Sequence, residues 1–161
     1  MSRNETIFTI FSLALLTVLI LRFFNISNSS YDTSAKSQEI LSAAGYGQSL
    51  IEEINLRKFD EQTITNQVND VNSLTVFAQF GPDAGETSLS QYDDIDDFKG
   101  YTKIDTLAGV GVFTSRANIY YVPESDINIT ATPRSFLKKI VVYSKKQSAS
   151  DSLKLEYIVN Y

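Results

Sequence analysis

From Ile7 to Phe24 the chain reads IFTIFSLALLTVLILRFF, apolar at every position except Thr9, Ser12, Thr17 and Arg22. A helix of that length spans roughly 27 Å, close to the ~30 Å hydrocarbon core of a bilayer. Arg22 stands near the end of the run, where a long basic side chain can reach the headgroups. The run exceeds the ~7–15 apolar residues of a cleaved signal peptide, and Phe23, Phe24 and Asn25 do not form a small-x-small cleavage site. The pattern therefore favours a retained transmembrane helix over a signal peptide. Asn25–Ser34, NISNSSYDTS, is polar and reads as a hinge or a weakly helical neck. Between Ala35 and Arg57 apolar residues return at spacings of three and four: Ile40, Leu41, Ala44, Gly47, Leu50, Ile51 and Ile54. That is one stripe of an amphipathic helix, with Glu39, Glu52, Glu53, Arg57 and Lys58 off it. Gly45 and Gly47 each cost a helix about 1 kcal/mol against Ala and would let another backbone approach closely.

Beyond residue 60 the period changes from 3.6 to two. LTVFAQF (Leu74–Phe80) alternates, and GVFTSRANIYYV (Gly111–Val122) is rich in β-branched and aromatic residues. FLKKIVVY (Phe136–Tyr143) and LKLEYIVNY (Leu153–Tyr161) are the cleanest strands, and the polar SKKQSASDS between them suits a hairpin. In the last strand Leu153, Leu155, Tyr157, Val159 and Tyr161 share a face, to which Ile51 and Ile54 of the helix are assigned. The reading is an α+β chain: an N-terminal transmembrane helix (1–24), a neck and amphipathic helix (25–60), and a β-rich extracytoplasmic domain (61–161). The amphipathic helix covers one face of an antiparallel sheet.

Composition narrows the chemistry. The chain has no Cys, His or Trp. Thiol catalysis, disulfides and cysteine metal sites are excluded, and the commonest general base and transition-metal ligand are missing. The net charge is −5, which argues against a nucleic-acid partner. The glycines of GVGVF (Gly109–Phe113) lack the spacing and the lysine of phosphate-binding loops. The expectation is that the chain is not an enzyme and takes no cofactor.

Two acidic features remain. Glu5 lies just before the apolar run. It reads as an interfacial carboxylate at a helix N-terminus, favoured by the helix dipole, or as a charge that pairs with another subunit. The second feature is the stretch from Asp83 to Asp97, which carries six acids and no base. Asp93, Asp94, Asp96 and Asp97 are weak calcium candidates, because calcium takes oxygen ligands on loops. They lack the spacing of an EF-hand, and no metal site is assigned to them. The preferred reading is a short turn capped by Asp93 or Asp94, with Ile95 and Phe98 buried beneath it and the other acids solvated.

Three stretches in this order carry a resemblance: YGQSLIEEINLRKFDE (Tyr46–Glu61), FGPDAGETS (Phe80–Ser88) and YDDIDDFKGY (Tyr92–Tyr101). Together they resemble the D-type minor pilins of the mannose-sensitive haemagglutinin (MSHA) pilus, relatives of type IV pilins and pseudopilins. The resemblance covers roughly Gln38 to Tyr101. It implies a pilin-like fold, in which the first half of a long helix is the membrane anchor and the second half packs on an antiparallel sheet. It makes the acidic stretch a family mark of the globular head. It also implies that Glu5 neutralises a neighbouring subunit's terminal amine in an apolar filament core. The segment SRNETIF departs from the family's Phe followed by Thr-Leu-Ile-Glu.

The functional expectation is a structural subunit, a minor pilin or pseudopilin, of a type IV pilus or related secretion apparatus. Its partners would be other pilin-like subunits, met through the N-terminal helix. It would sit in the bacterial inner membrane as a single-pass protein, with its C-terminal domain outside the cytoplasm or in a surface filament. The alternative is a membrane-anchored extracytoplasmic binding domain that does not polymerise.

Overall fold

The structure, a computed structural model, describes residues 2–130 and 133–161. One helix, α1 (Arg3–Asn55), opens the chain and runs through the polar Asn25–Ser34 segment without a break. Four strands follow: β1 (Thr102–Leu107), β2 (Gly111–Tyr121), β3 (Leu137–Lys146) and β4 (Leu153–Asn160). They form one antiparallel sheet in the order β1-β2-β3-β4. This is the α+β fold expected, a long N-terminal apolar helix packed on an antiparallel sheet. The chain divides into two compact units, one ending at Glu39 and the other comprising Ile40–Tyr161.

In the first unit α1 contains an 18-residue window of mean hydropathy 2.4 with none of it buried, long and apolar enough to cross a membrane. Within the second unit the last turns of α1 cover the sheet. Leu50, Ile51 and Ile54 share a core with Ala117 and Ile119 of β2, Ile140 and Val142 of β3, and Leu155 and Val159 of β4. Small residues make this seam close. An added Cβ on Gly47 would lie 2.6 Å from Leu155 Cδ1 and 3.2 Å from Ser144 Cβ, whereas Gly45 meets nothing within 4 Å. Ser144 in turn hydrogen bonds across the ladder to Ser115 at 2.9 Å. Burying two hydroxyls here costs little, because each is the other's partner.

The structure corrects several details of the pattern. Ile40 and Leu41 are exposed, and Ala43 is buried in their place. Tyr157 is also exposed and lies outside the core that Leu155 and Val159 join, because β4 is the edge of the sheet. Leu74–Phe80 is not a strand. Leu74 and Phe80 are buried, but the backbone is held by short 3-10 turns, with Gln79 N–H donating to Val76 O at 2.8 Å. The alternation there comes from two anchor residues six positions apart, not from a ladder. β1 is an edge strand whose residues alternate between exposed and half-buried, too weak a pattern to be read from TKIDTL.

The two glycines of the helix separate propensity from packing. Gly45→Ala should raise the stability of the full chain in detergent by about 1 kcal/mol, the helix-propensity gain. Gly47→Leu should lower it by about 1–3 kcal/mol through overpacking against β3 and β4. Thermal or denaturant melts of the two variants check this, and effects of the same sign would mean the close seam is not where the structure places it.

Candidate functional site

The site begins where the chain leaves α1. Lys58 pairs with the acidic stretch through a short parallel bridge: Lys58 N–H donates to Asp93 O at 3.0 Å, and Ile95 N–H to Lys58 O at 2.9 Å. The bridge lays the aspartates beside Phe59 and Asp60. Asp60 starts a 3-10 turn at Glu61–Thr63 through a capping box, accepting from Gln62 N–H at 3.1 Å while its own N–H donates to Thr63 Oγ1 at 3.1 Å. The same carboxylate accepts from Thr75 N–H at 3.1 Å and Thr75 Oγ1 at 2.9 Å, and the Tyr121 hydroxyl lies 3.2 Å away. Asp60 thus ties three segments distant in sequence.

Its counter-charge is Lys138 on β3. The side chain is fully buried, and Nζ donates to Phe59 O at 2.6 Å and to Asp60 Oδ2 at 2.9 Å. It also lies 2.6 Å from Asp96 Oδ1. The rings of Phe59, Phe80 and Tyr121 surround the ammonium at 4.5, 4.9 and 5.3 Å, within cation–π range. Burial opposes ionisation of Asp60, but the charge and hydrogen bond of Lys138 outweigh it and hold the carboxyl below its ordinary value of 3.8. Tyr121 shifts the other way, pushed up by burial and by the charge of Asp60.

The acidic stretch closes over this pair. Asp94 caps the 3-10 turn Asp96–Phe98, accepting from Asp96 N–H at 2.6 Å and Asp97 N–H at 3.2 Å through one oxygen. Asp97 Oδ2 accepts in return from the N–H groups of Asp93 and Asp94 at 3.1 and 3.2 Å. Ile95 and Phe98 are buried, and Phe98 meets Tyr92 and Tyr101 edge to face. The cap and the two buried apolar residues match the sequence reading. The other aspartates, read as solvated, do not: Asp96 and Asp97 are buried along with the capping Asp94, and among these four candidates Asp93 alone is exposed. For Asp96 the reason is Lys138, whose ammonium lies inside the domain 2.6 Å from its Oδ1.

Next to the turn is a cavity of about 420 Å³, whose lining includes Thr75, Glu61, Asp83, Asp94, Asp96 and Asp97. Burial, with neighbouring acids adding to it, raises the pKa values of these aspartates. Burial, opposed by Lys138, takes Asp94 to about 6. Burial takes Asp96 to about 8, with Asp94 and Asp60 adding to the rise. Burial and the neighbouring carboxylates of Asp94 and Glu86 take Asp97 to about 7. Asp96 is the least satisfied group. Its Oδ1 is ion-paired with Lys138 at 2.6 Å, while its buried Oδ2 has no hydrogen-bond donor.

Glu5 lies far back in the sequence, in the first turn of α1, and is exposed. Ser2 N–H donates to its Oε2 at 2.8 Å, and Glu5 N–H reaches Ser2 Oγ at 3.4 Å, the reciprocal pattern of a capping box. Lys138 escaped the sequence reading, although one signal pointed to it. In a strand it shares a face with Ile140 and Val142, and a lysine on a core-facing position needs a buried acid. No protein-family model, curated protein or solved structure matches this chain.

Two outcomes follow from the charges. Lys138→Met should destabilise the full chain at pH 8 by about 3–5 kcal/mol, because it strands buried carboxylates. Lys139→Met should cost under about 1 kcal/mol, since its partner Glu156 is 3.9 Å away and half exposed. Denaturant titrations of the two variants check the difference.

The second outcome is a pH dependence in chelator-treated protein. Asp94, Asp96 and Asp97 keep protons in the folded chain at pH values where unfolded carboxyls, ordinarily near 3.8, have lost them. Their raised pKa values therefore lower stability as pH rises from about 4 to about 8, with a plateau above. Asp60 has the opposite sign: its contribution is lost as pH falls through and below 3.8. The melting temperature should be higher at pH 5 than at pH 8.5, and Asp96→Asn should flatten the slope.

Proposed function

We propose that the chain is a membrane-anchored, pilin-like structural subunit that joins other subunits of its kind through α1. The observation that carries this reading is the division of labour along one unbroken helix. The N-terminal window of α1 is apolar and wholly unburied, while its last turns are the cover of an antiparallel sheet. Polar side chains in the apolar part fit a hydrocarbon setting. Thr9 Oγ1 donates to Glu5 O at 2.6 Å and Thr17 Oγ1 to Leu13 O at 2.8 Å, so neither hydroxyl is left unpaired. Leu16, Leu19 and Phe23 remain exposed on this stretch and offer the contact surface. With no Cys, His or phosphate-binding loop, nothing in the acidic site calls for catalysis.

Glu5 is the assembly residue in this reading. An unpaired carboxylate at the edge of the apolar layer is costly, and another subunit's terminal amine would neutralise it. Glu5→Gln is the sharp test, because glutamine keeps the capping-box hydrogen bond and removes only the charge. With a photo-crosslinker at Leu16, the wild type in native membranes should capture other helix-anchored subunits. Glu5→Gln should lose that capture while staying in the carbonate-washed membrane fraction. Undiminished capture by the glutamine variant would make Glu5 a helix cap and nothing more. A wild type that captures no helix-anchored subunit would favour a non-polymerising anchored domain.

A further inference from the structure

We propose that Lys138 and Asp96 condense into an intramolecular amide that ties β3 to the Asp96–Phe98 turn, with Asp60 as the base. A nucleophile, an electrophile and a base meet at one point. The nucleophile is the Lys138 amine. Its Nζ lies 2.6 Å from Asp96 Oδ1 and 2.9 Å from Asp60 Oδ2, and the whole side chain is out of water. The rings of Phe59, Phe80 and Tyr121 pack around it at 4.5, 4.9 and 5.3 Å. The electrophile is the Asp96 carboxyl. Burial takes it to about 8, so near neutrality it keeps the hydroxyl that has to leave. The base is Asp60. Lys138 holds it below its ordinary value of 3.8 against the opposing effect of burial, so it stays ionised. Gln62 N–H and Thr75 N–H, each at 3.1 Å, fix its orientation. The departing water also has a way out, since Asp96 lines the cavity of about 420 Å³.

The step balances without a co-reactant. Asp60 takes one proton from the ammonium. The freed lone pair of Nζ attacks Cγ of Asp96, and the carbonyl electron pair moves onto oxygen. As the carbonyl re-forms, the Cγ–OH bond breaks, and the hydroxyl leaves as water with a second proton from the nitrogen. A Nζ–Cγ bond replaces a Cγ–O bond, and nothing is oxidised or reduced. The products are an amide, one water and a protonated Asp60. A buried ion pair thus becomes neutral, which removes the cost of keeping two charges out of water. Reactants held in contact react as one molecule, with effective concentrations that reach about 10⁵–10⁸ M. The N–H left on the amide has Phe59 O, 2.6 Å from Nζ, as its acceptor. The chain has no cysteine, so no disulfide can fix residues 56–101, which hold no strand. An amide from Asp96 to Lys138 would constrain the unfolded chain as a disulfide does, whether or not the chain polymerises. Once it has formed, Asp96 no longer titrates, so the pH dependence of Asp96 is that of the chain before condensation.

The test is the mass of the full chain, purified in detergent and denatured before measurement. The wild type should be lighter by one water than the unlinked chain. Its digest should contain a branched peptide that joins the segment of Asp96 to the segment of Lys138. Lys138→Arg keeps the cation without the amine, and Asp96→Ala has no carboxyl to attack. Each should keep the water and give linear peptides only. Asp60→Asn retains an acceptor oxygen for Gln62 and Thr75 but is no base, and it should lower the branched fraction about tenfold or more after equal times. A wild type that keeps its water and yields no branched peptide would overturn the proposal. So would a lost water with linear peptides only, the mark of an aspartyl succinimide. Undiminished branching in a folded Asp60→Asn variant would overturn the role given to Asp60.

Discussion

A lysine ammonium sits inside this domain with no exposure to water, and much of the connecting structure is arranged to make that tolerable. Moving Lys138 out of water costs several kcal/mol, and attraction to a single carboxylate does not reliably repay it. The structure answers with Asp60, a second carboxylate in Asp96, the Phe59 carbonyl and three aromatic faces. Each comes from a different part of the chain. Phe59 and Asp60 follow the helix, Phe80 and Asp96 lie in the loops, and Tyr121 ends β2. Residues 56–101 hold no strand and only short 3-10 turns, yet their course is fixed because they must meet one charge.

This explains what the sequence could and could not reveal. The helix was legible because apolar and small residues recur at helical spacing from Ala43 to Ile54, although Ile40 and Leu41 at its start stay exposed, and β2, β3 and β4 because β-branched and aromatic residues alternate over many positions. These elements announce themselves through repetition. The loops carry no repetition, so Leu74 and Phe80 imitated a strand while serving as two separate anchors. The acidic turn was half legible: the burial of Ile95 and Phe98 follows from their apolar character and spacing. The burial of Asp96 does not, since it depends on Lys138 some forty residues later. Nothing local distinguishes Lys138 from its neighbour Lys139. Only the parity of β3, with Ile140 and Val142 pointing into the core, sets it apart.

The seam between helix and sheet rests on a different constraint, that of size. Gly47 lets α1 come close to Leu155 of β4 and Ser144 of β3, and Ser144 is in turn paired with the small Ser115 of β2. Larger residues, Leu50, Ile51 and Ile54, occupy the following turns and fill the space as the core widens. The same helix is bare in its first unit, where Ile10, Leu13 and Leu19 are all exposed. An exposed apolar helix of that length fits a membrane anchor or a signal sequence. The sheet end of the helix is covered; the N-terminal end carries its apolar surface bare.

The acidic cavity presents the same contrast in electrostatic form. Asp60 and Asp96 share the one ammonium of Lys138, at 2.9 and 2.6 Å, while Asp94 and Asp97 are buried beside them. A low-dielectric interior cannot carry that excess of negative charge. The aspartates answer by keeping protons, as the raised values of Asp94, Asp96 and Asp97 describe, while Asp60, held below its ordinary value, stays ionised opposite Lys138. One buried ion pair is thus surrounded by carboxyls that hold protons where an exposed aspartate would have lost them.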